Sequence, residues 1–341
     1  MAANCLLLLP TEYLLIMNYS NILIIQTAFI GDAILASSLV EKLHSKFPAA
    51  SVSIIVRKGN EGIYKDHPFL KEVLVWDKTT NKYGNLFSAL SKIRKNRYDL
   101  VVNCHRFASS GFLTAFSGAR HKAGYKQTPF AYLFDHAPHH TFGDGKHEIE
   151  RYNQLIADFA GPEVSKPKIY PSASDIEKII PFVKQDFVCI APSSVWFTKQ
   201  LPIEKWIELC DLLSSSITIY VLGSANDSEL AKKIISESKH KNMIDLTGQL
   251  SLLQSAALMQ KAKMNYVNDS APLHLASATN APVIAFFCST VKEFGFYPLS
   301  DNSKVIDAGP MDCRPCGMHG YKACPKGHFN CAKLIEVKTA L

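Results

Sequence analysis

The chain has 341 residues, 47% hydrophobic and 20% charged, with a formal net charge of +7 and a pI near 8.8. That is enough apolar material for two ordinary cores and excludes a disordered or fibrous chain. The basic excess calls for an acidic partner. The positive residues read as scattered, with no basic helix or aromatic platform, which sets nucleic acid aside and leaves an acidic glycan or an anionic membrane surface.

Residues 1–20 hold two apolar runs, Cys5-Leu6-Leu7-Leu8-Leu9 and Leu14-Leu15-Ile16-Met17, separated by Pro10-Thr11-Glu12 and preceded by no Lys or Arg. They read as a loose extension, with Met17 a candidate start, because a signal peptide needs an n-region charge and a span needs about 20 apolar residues. Next comes a continuous apolar strand over 21–26, the turn Thr27-Ala28-Phe29-Ile30-Gly31-Asp32, and a helical pattern over 33–44. Gly31 permits a tight turn. Asp32 at a helix N-terminus is either a cap or a proton acceptor facing a cleft.

Strands over 51–56, 73–76 and 99–103, with a helix over 86–95, predict a doubly wound parallel sheet within a first domain of residues 21–160. Arg57, Arg106 and Arg120, with Lys58 and Lys122, fall near strand ends or loops and are candidate acceptor-binding cations. His136 joins them from the polar stretch 135–147, which reads as a lid or a solvated loop. Residues 161–174 lose all periodicity and carry three prolines, marking an interdomain linker.

The pattern restarts in a second domain of residues 175–341, with strands near Phe187, Ile217, Met243, Met264 and Val283. After the first of these comes Pro192-Ser193-Ser194-Val195-Trp196-Phe197-Thr198-Lys199-Gln200-Leu201-Pro202. Ser193 and Ser194 can donate to phosphate oxygens, and Lys199 supplies a compact positive charge for a leaving diphosphate. After the strand 264–267 comes Asn268-Asp269-Ser270-Ala271-Pro272-Leu273-His274. Proline suits a first helical turn and Asp269 or Ser270 can cap it, so a helix N-terminus there is an anion site, or only ordinary capping. Cys313, Cys316, Cys324 and Cys331 form C-x2-C-x7-C-x6-C with His319 and His328 interleaved. Tetrahedral zinc, disulfides and reduced thiols all stay open; zinc is not favoured, since a second C-x2-C pair is missing. Cys5, Cys104, Cys189, Cys210 and Cys288 read as scattered thiols.

Taken together, the Gly31-Asp32 turn, the Pro192 to Pro202 loop, the Asp269 to His274 segment and the cysteine-rich tail make the chain resemble glycosyltransferase family 9. These are the ADP-heptose:lipopolysaccharide heptosyltransferases, and the pattern is nearest their heptosyltransferase II members. The resemblance runs from about Asn21 to the C-terminus. It implies a GT-B fold of two Rossmann-like domains, the first for the acceptor and the second for an ADP-sugar. It further implies Asp32 as base, Ser193, Ser194 and Lys199 at the diphosphate, and Asp269, Ser270, Ala271 and His274 at the nucleotide-sugar. The reaction would be inverting and metal-independent, without a cofactor. Its acceptor would be a lipid-linked acidic core oligosaccharide at the cytoplasmic face of the inner membrane. Two departures stand out: alanine at Ala271 where the family commonly has glycine, and no clear ribose-binding acid among Ser224, Ala225, Asn226 and Asp227. A nucleotide-sugar epimerase of the same architecture and a non-catalytic glycan- or nucleotide-binding protein are the alternatives. A dinucleotide dehydrogenase is disfavoured, because the first strand runs into Thr27 to Asp32 with no glycine fingerprint.

Overall fold

The computed structural model describes residues 18–341, so the reading of the N-terminal extension falls outside the described residues apart from 18–20. The first half runs β1 (Asn21–Gln26), α1 (Ile30–Lys46), β2 (Ser51–Arg57), β3 (Leu70–Trp76), α2 (Lys82–Asn96), β4 (Leu100–Asn103), α3 (Ala108–Ala115), β5 (His121–Gly124), α4 (Glu148–Gln154) and α5 (Ala157–Ala160). The second runs α6 (Ala173–Ile179), β6 (Phe187–Ala191), α7 (Ile203–Leu212), β7 (Thr218–Val221), α8 (Ser228–Glu237), β8 (Met243–Asp245), α9 (Leu252–Lys261), β9 (Asn265–Asn268), α10 (Ala271–Thr279), β10 (Val283–Phe286), β11 (Ser303–Ile306) and α11 (Asn330–Lys333).

Every strand pairing is parallel, in two sheets ordered β3-β2-β1-β4-β5 and β11-β10-β9-β6-β7-β8. Two Rossmann-like α/β halves are thus present. β1 is apolar along its length because it is central: Ile24 lies between Ile54 and Val102, all fully buried. In each sheet the strand order reverses once, between β1 and β4 and between β6 and β9. At such a point the connections leave in opposite directions and open a crevice beyond the strands' C-terminal ends.

α1 is buried on all sides from Ala33 to Val40, since its own sheet covers one face while α4 and α10 pack on others. Ala33, Ala36, Ser37 and Ser38 are small enough for that approach. Ser37 also accepts the Lys168 N–H at 2.8 Å, which pins the extended run 161–172 to α1.

The end of the chain packs on the second half, where Phe329, Cys331, Ile335 and Val337 join a core with Trp206 and Leu209 of α7. The halves are joined by residues 140–151, where α4 meets the second domain. Glu148 N–H donates to Gly295 O at 2.8 Å, Arg151 Nη1 to Phe294 O at 3.0 Å, and His147 Nε2 pairs with Tyr297 O at 2.9 Å. Within the joint Arg151 is ion-paired to Asp144 at 2.6 Å and to Glu148 at 3.1 Å, and Glu148 also meets His140 at 3.0 Å. Of the stretch read as a lid or solvated loop, His140 and His147 are buried in this joint, while Asp135, His139, Thr141 and residues 143–146 stay exposed. Breaking a buried ion pair strands its partner, so Arg151→Ala should cost about 3–5 kcal/mol. Urea unfolding measures this, and a loss under about 1 kcal/mol would contradict the joint's role.

Candidate active site

The two crevices face one another. Asp32 enters from the first turn of α1, with Phe29, Ile30 and Gly31, and from the other half come Ser194, Lys199, Asp269, Ser270, Ala271 and His274; together they line one cavity. The approach is tight: a Cβ on Gly31 would fall 2.8 Å from His274 Cδ2. Asp32 is pushed up to about 7, first by burial and next by the Glu148 carboxylate; its own backbone N–H, Lys199 and Arg106 pull the other way. His274 is driven down to about 4, mainly by burial, and so stays neutral at pH 7. Its Nδ1 is buried without a hydrogen-bond partner among the described residues.

Lys199 is held by Asp269 at 2.8 Å, and Asp269 also accepts the Thr290 hydroxyl at 2.5 Å. Asp269 is buried, so this carboxylate acts on the lysine and takes no capping role. Ser270 is the N-cap of α10 by backbone position, yet its side chain caps nothing. Neither side chain caps as the sequence suggested; Pro272 has no N–H and Leu273 N–H donates to Ser270 O at 3.0 Å, so Ala271 supplies the first-turn N–H left without a side-chain cap at the cavity. Ser193 differs again. Its hydroxyl donates to Asp227 Oδ1 at 2.6 Å, it is absent from the cavity wall, and Asp227 also accepts the Ser224 N–H and hydroxyl at 2.7 Å. Ser193 and Asp227 thus order the loop that presents Ser194 and Lys199.

A second cavity of about 740 Å³ opens beside Asp32, walled mostly by the first half. Arg57 and Arg106 line it, as do Lys78, His105, Tyr83 and Phe107, which the sequence reading missed. Arg106 is oriented by His140 Nδ1 at 3.3 Å and stacks over Phe142 at 4.5 Å. Lys78 Nζ donates to Thr27 O at 2.6 Å, and burial, then Arg57 and Lys82, lowers it to about 8. Two candidates lie elsewhere. Arg120 stands beside Tyr19, at the sheet edge opposite the cleft, and His136 pairs with Asp158 at 3.0 Å and Gln154 O at 2.9 Å. Arg120 precedes β5 and so lies at a strand's N-terminal end, whereas strand C-terminal ends reach the crevice, and His136 of the polar stretch turns to α4 and α5.

The cysteine-rich loop borders both cavities through Met318 and His319. Thr198 N–H donates to Tyr321 O at 3.1 Å, Tyr321 N–H returns to the Thr198 hydroxyl at 2.7 Å, and a Cβ on Gly320 would crowd Thr198 Oγ1 at 2.8 Å. Cys313 Sγ lies 3.9 Å from His328 Nε2, and burial pushes Cys331 up to about 11. Among the described residues the eight cysteines are free, and no group of three or more His, Cys, Asp or Glu is arranged to hold a metal.

Residues 86–323 match the family described as glycosyltransferase family 9 (heptosyltransferase). The lipooligosaccharide heptosyltransferase 2 of Haemophilus influenzae is 21% identical over 84% of this chain and 88% of its own length. The structure of Escherichia coli ADP-heptose lipopolysaccharide heptosyltransferase II overlays with a TM-score of 0.73 at 20% identity, covering 91% of this chain and 96% of that one. Escherichia coli heptosyltransferase WaaC, solved with ADP-2-deoxy-2-fluoro heptose, gives 0.71 at 21% identity, over 94% and 98%. The shared fold is GT-B.

Gly31→Ala tests the closeness of the two halves. The added methyl must displace the His274 ring, and overpacking of this kind costs about 1–3 kcal/mol. Calorimetry should show ADP binding weakened by about two- to tenfold, half of that cost falling on the bound state; unchanged affinity would mean that the His274 ring does not set the site.

Proposed function

The chain belongs to glycosyltransferase family 9, and from that membership we propose that it transfers a heptose, or a closely similar sugar, from an ADP-sugar to the inner core of lipopolysaccharide. The observation that carries this is the convergence, on one cavity, of a carboxylate held near 7 with Lys199, His274 and the uncapped start of α10. The relatives supply the substrate class: they are named as heptosyltransferases acting on lipopolysaccharide or lipooligosaccharide, and one was solved with an ADP-heptose analogue.

The mechanism we propose is a single inverting displacement. Asp32 takes the proton of an acceptor hydroxyl as that oxygen attacks the anomeric carbon, and the carbon–oxygen bond to ADP breaks on the opposite face. The departing diphosphate gains charge at Lys199, at the Ser194 loop and at the N-terminus of α10, which supply the positive potential a metal supplies in other transferases. Asp269 and Thr290 keep Lys199 aimed. Ser193 and Asp227 keep the loop in shape. The acceptor occupies the larger cavity, where Arg57, Lys78 and Arg106 suit its acidic groups, while Arg120 and His136 have no part in binding it.

Mass measurement of truncated core lipopolysaccharide incubated with ADP-heptose and the purified protein tests the reading. A gain of one heptose is expected, and conversion of donor alone, without acceptor, would favour an epimerase. Asp32→Asn should reduce transfer by about 10²–10⁴ while leaving ADP affinity within a few-fold. More than a tenth of wild-type turnover would refute Asp32 as base. The raised carboxyl fixes the pH profile. The base form dominates above about 7, so kcat/KM should be flat there and fall about tenfold per unit below it. Lys199→Ala should weaken donor binding and slow transfer, with activity insensitive to EDTA; inhibition reversed by magnesium or manganese would overturn the metal-free mechanism.

A further inference from the structure

The positive charge is not scattered, contrary to the composition-level reading. Between residues 78 and 134 there are ten Lys and Arg against a single acid, Asp99, whereas the rest of the chain has 27 basic and 29 acidic residues. All of the excess therefore resides in the stretch that builds α2, α3 and the outer wall of the larger cavity. α2 itself carries Lys82, Lys92, Arg94 and Lys95 and no acid. Not all ten share one face, since Arg120 and Lys122 lie at the start of β5.

The same wall exposes large apolar rings. Tyr83 is 72% exposed, Phe87 60%, Phe107 66% and Tyr132 82%, more than any other aromatic among the described residues. They form a patch. Phe87 packs edge-on against Phe112 at 5.7 Å, Phe112 against Phe116 at 5.0 Å, and Phe116 against Phe130 at 5.8 Å, with Tyr132 on the short turn that packs on α3. Phe130 sits at φ 73, in the left-handed region that bulky residues avoid, and the ring contacts hold it there. On α2, Tyr83, Phe87 and Arg94 recur at helical spacing along one exposed line, with Lys95 beside it.

We propose that this face of α2, α3 and the 131–133 turn docks on an anionic lipid surface, with the aromatic rings at headgroup level and Lys82, Arg94 and Lys95 over the phosphates. Rings of this kind in a basic surround match an interface, while sequence-tolerant nucleic-acid binding would need them to line a groove that tracks a strand. Among the described residues no helix is long and apolar enough to cross a membrane. Tyr83 and Phe107 belong to both the patch and the cavity wall, so the mouth of the cavity would open at the lipid headgroups. The proposal rests on the acceptor being lipid-linked only for what is delivered there.

The test is flotation of the full chain with vesicles of phosphatidylcholine alone and of phosphatidylcholine with phosphatidylglycerol, with a single-stranded DNA oligonucleotide as the competing ligand. Wild type should float with the anionic vesicles and lose binding as salt rises. Arg94→Glu with Lys95→Glu should reduce the partition coefficient by at least about tenfold, and Phe87→Ser with Tyr132→Ser by about tenfold. These four side chains are exposed and lie outside both cavities, so thermal unfolding and transfer to a delipidated, water-soluble acceptor should match wild type. Equal partition onto the two vesicle types, variants that float like wild type, or retention by the oligonucleotide without flotation would each overturn the docking surface. If flotation responds to the variants but no sugar is transferred, the docking surface stands and the transferase reading falls.

Discussion

α1 and α10 point their N-termini into one cleft from opposite halves of the molecule, and the contact is as close as Gly31 allows, because any side chain there would enter the His274 ring. Both helices follow directly from central strands, β1 and β9, and each lies at the place where its sheet reverses direction. Two positive dipole ends and one lysine thus converge on a small volume. Such a volume favours an anion before any base or sugar contact is counted. The interdomain joint at Arg151 and the apolar packing of α1 on α10 are what hold these ends at that separation.

A carboxylate placed in such a field ought to be strongly acidic, yet Asp32 is held near 7. The competing magnitudes explain the sign. A helix N-terminus is worth up to about 2 kcal/mol to an anion in partly buried geometry, whereas desolvating a charge costs several. Here burial is reinforced by Glu148, which Arg151 and His140 hold in the same neighbourhood. Lys199 would offset this if it were free to turn toward Asp32, but its ion pair with Asp269 commits it to the other wall. The pairing of Lys199 with a buried partner therefore serves two ends at once, fixing a cation on one wall of the cavity and leaving the opposing carboxylate basic.

The sequence revealed what period and punctuation encode. β1 and β6 are continuous apolar runs and β9 a short one interrupted by Asn265, each ending in a polar loop, so their C-terminal ends could be located and the Asp32, Lys199 and Asp269 loops placed at them. β5 was missed because His121-Lys122-Ala123-Gly124 has no apolar pattern; it is a strand only because β4 offers it a partner. α2 begins four residues earlier than its apolar spacing suggests, since its first turn is exposed and carries Tyr83 outward. Side-chain partnerships were not legible at all. Nothing in the spacing says that Ser193 turns to Asp227, that Asp269 holds Lys199, or that Arg151 stitches the halves together. Those pairs are distant in sequence and chosen by tertiary geometry. The charge segregation, by contrast, was present in the sequence and was lost by counting over the whole chain when the relevant unit was a stretch of it.

The tail shows the same dependence on partnership over composition. Its thiols draw the eye, but the hydrogen bonds that fix its loop come from other residues. Arg314, almost wholly buried, donates to Thr290 O at 2.7 Å, Gly309 O at 3.0 Å and Phe287 O at 3.2 Å, and pairs with Asp307 at 2.9 Å. Thr290, held through its carbonyl by Arg314, gives its hydroxyl to Asp269, and Asp269 holds Lys199. On the other side Tyr321 grips Thr198, the residue before that lysine. The loop thus bears on Lys199 from both directions, through its backbone and through its counterion. A change in the tail can therefore shift a side chain of the cavity wall without any cysteine touching that wall.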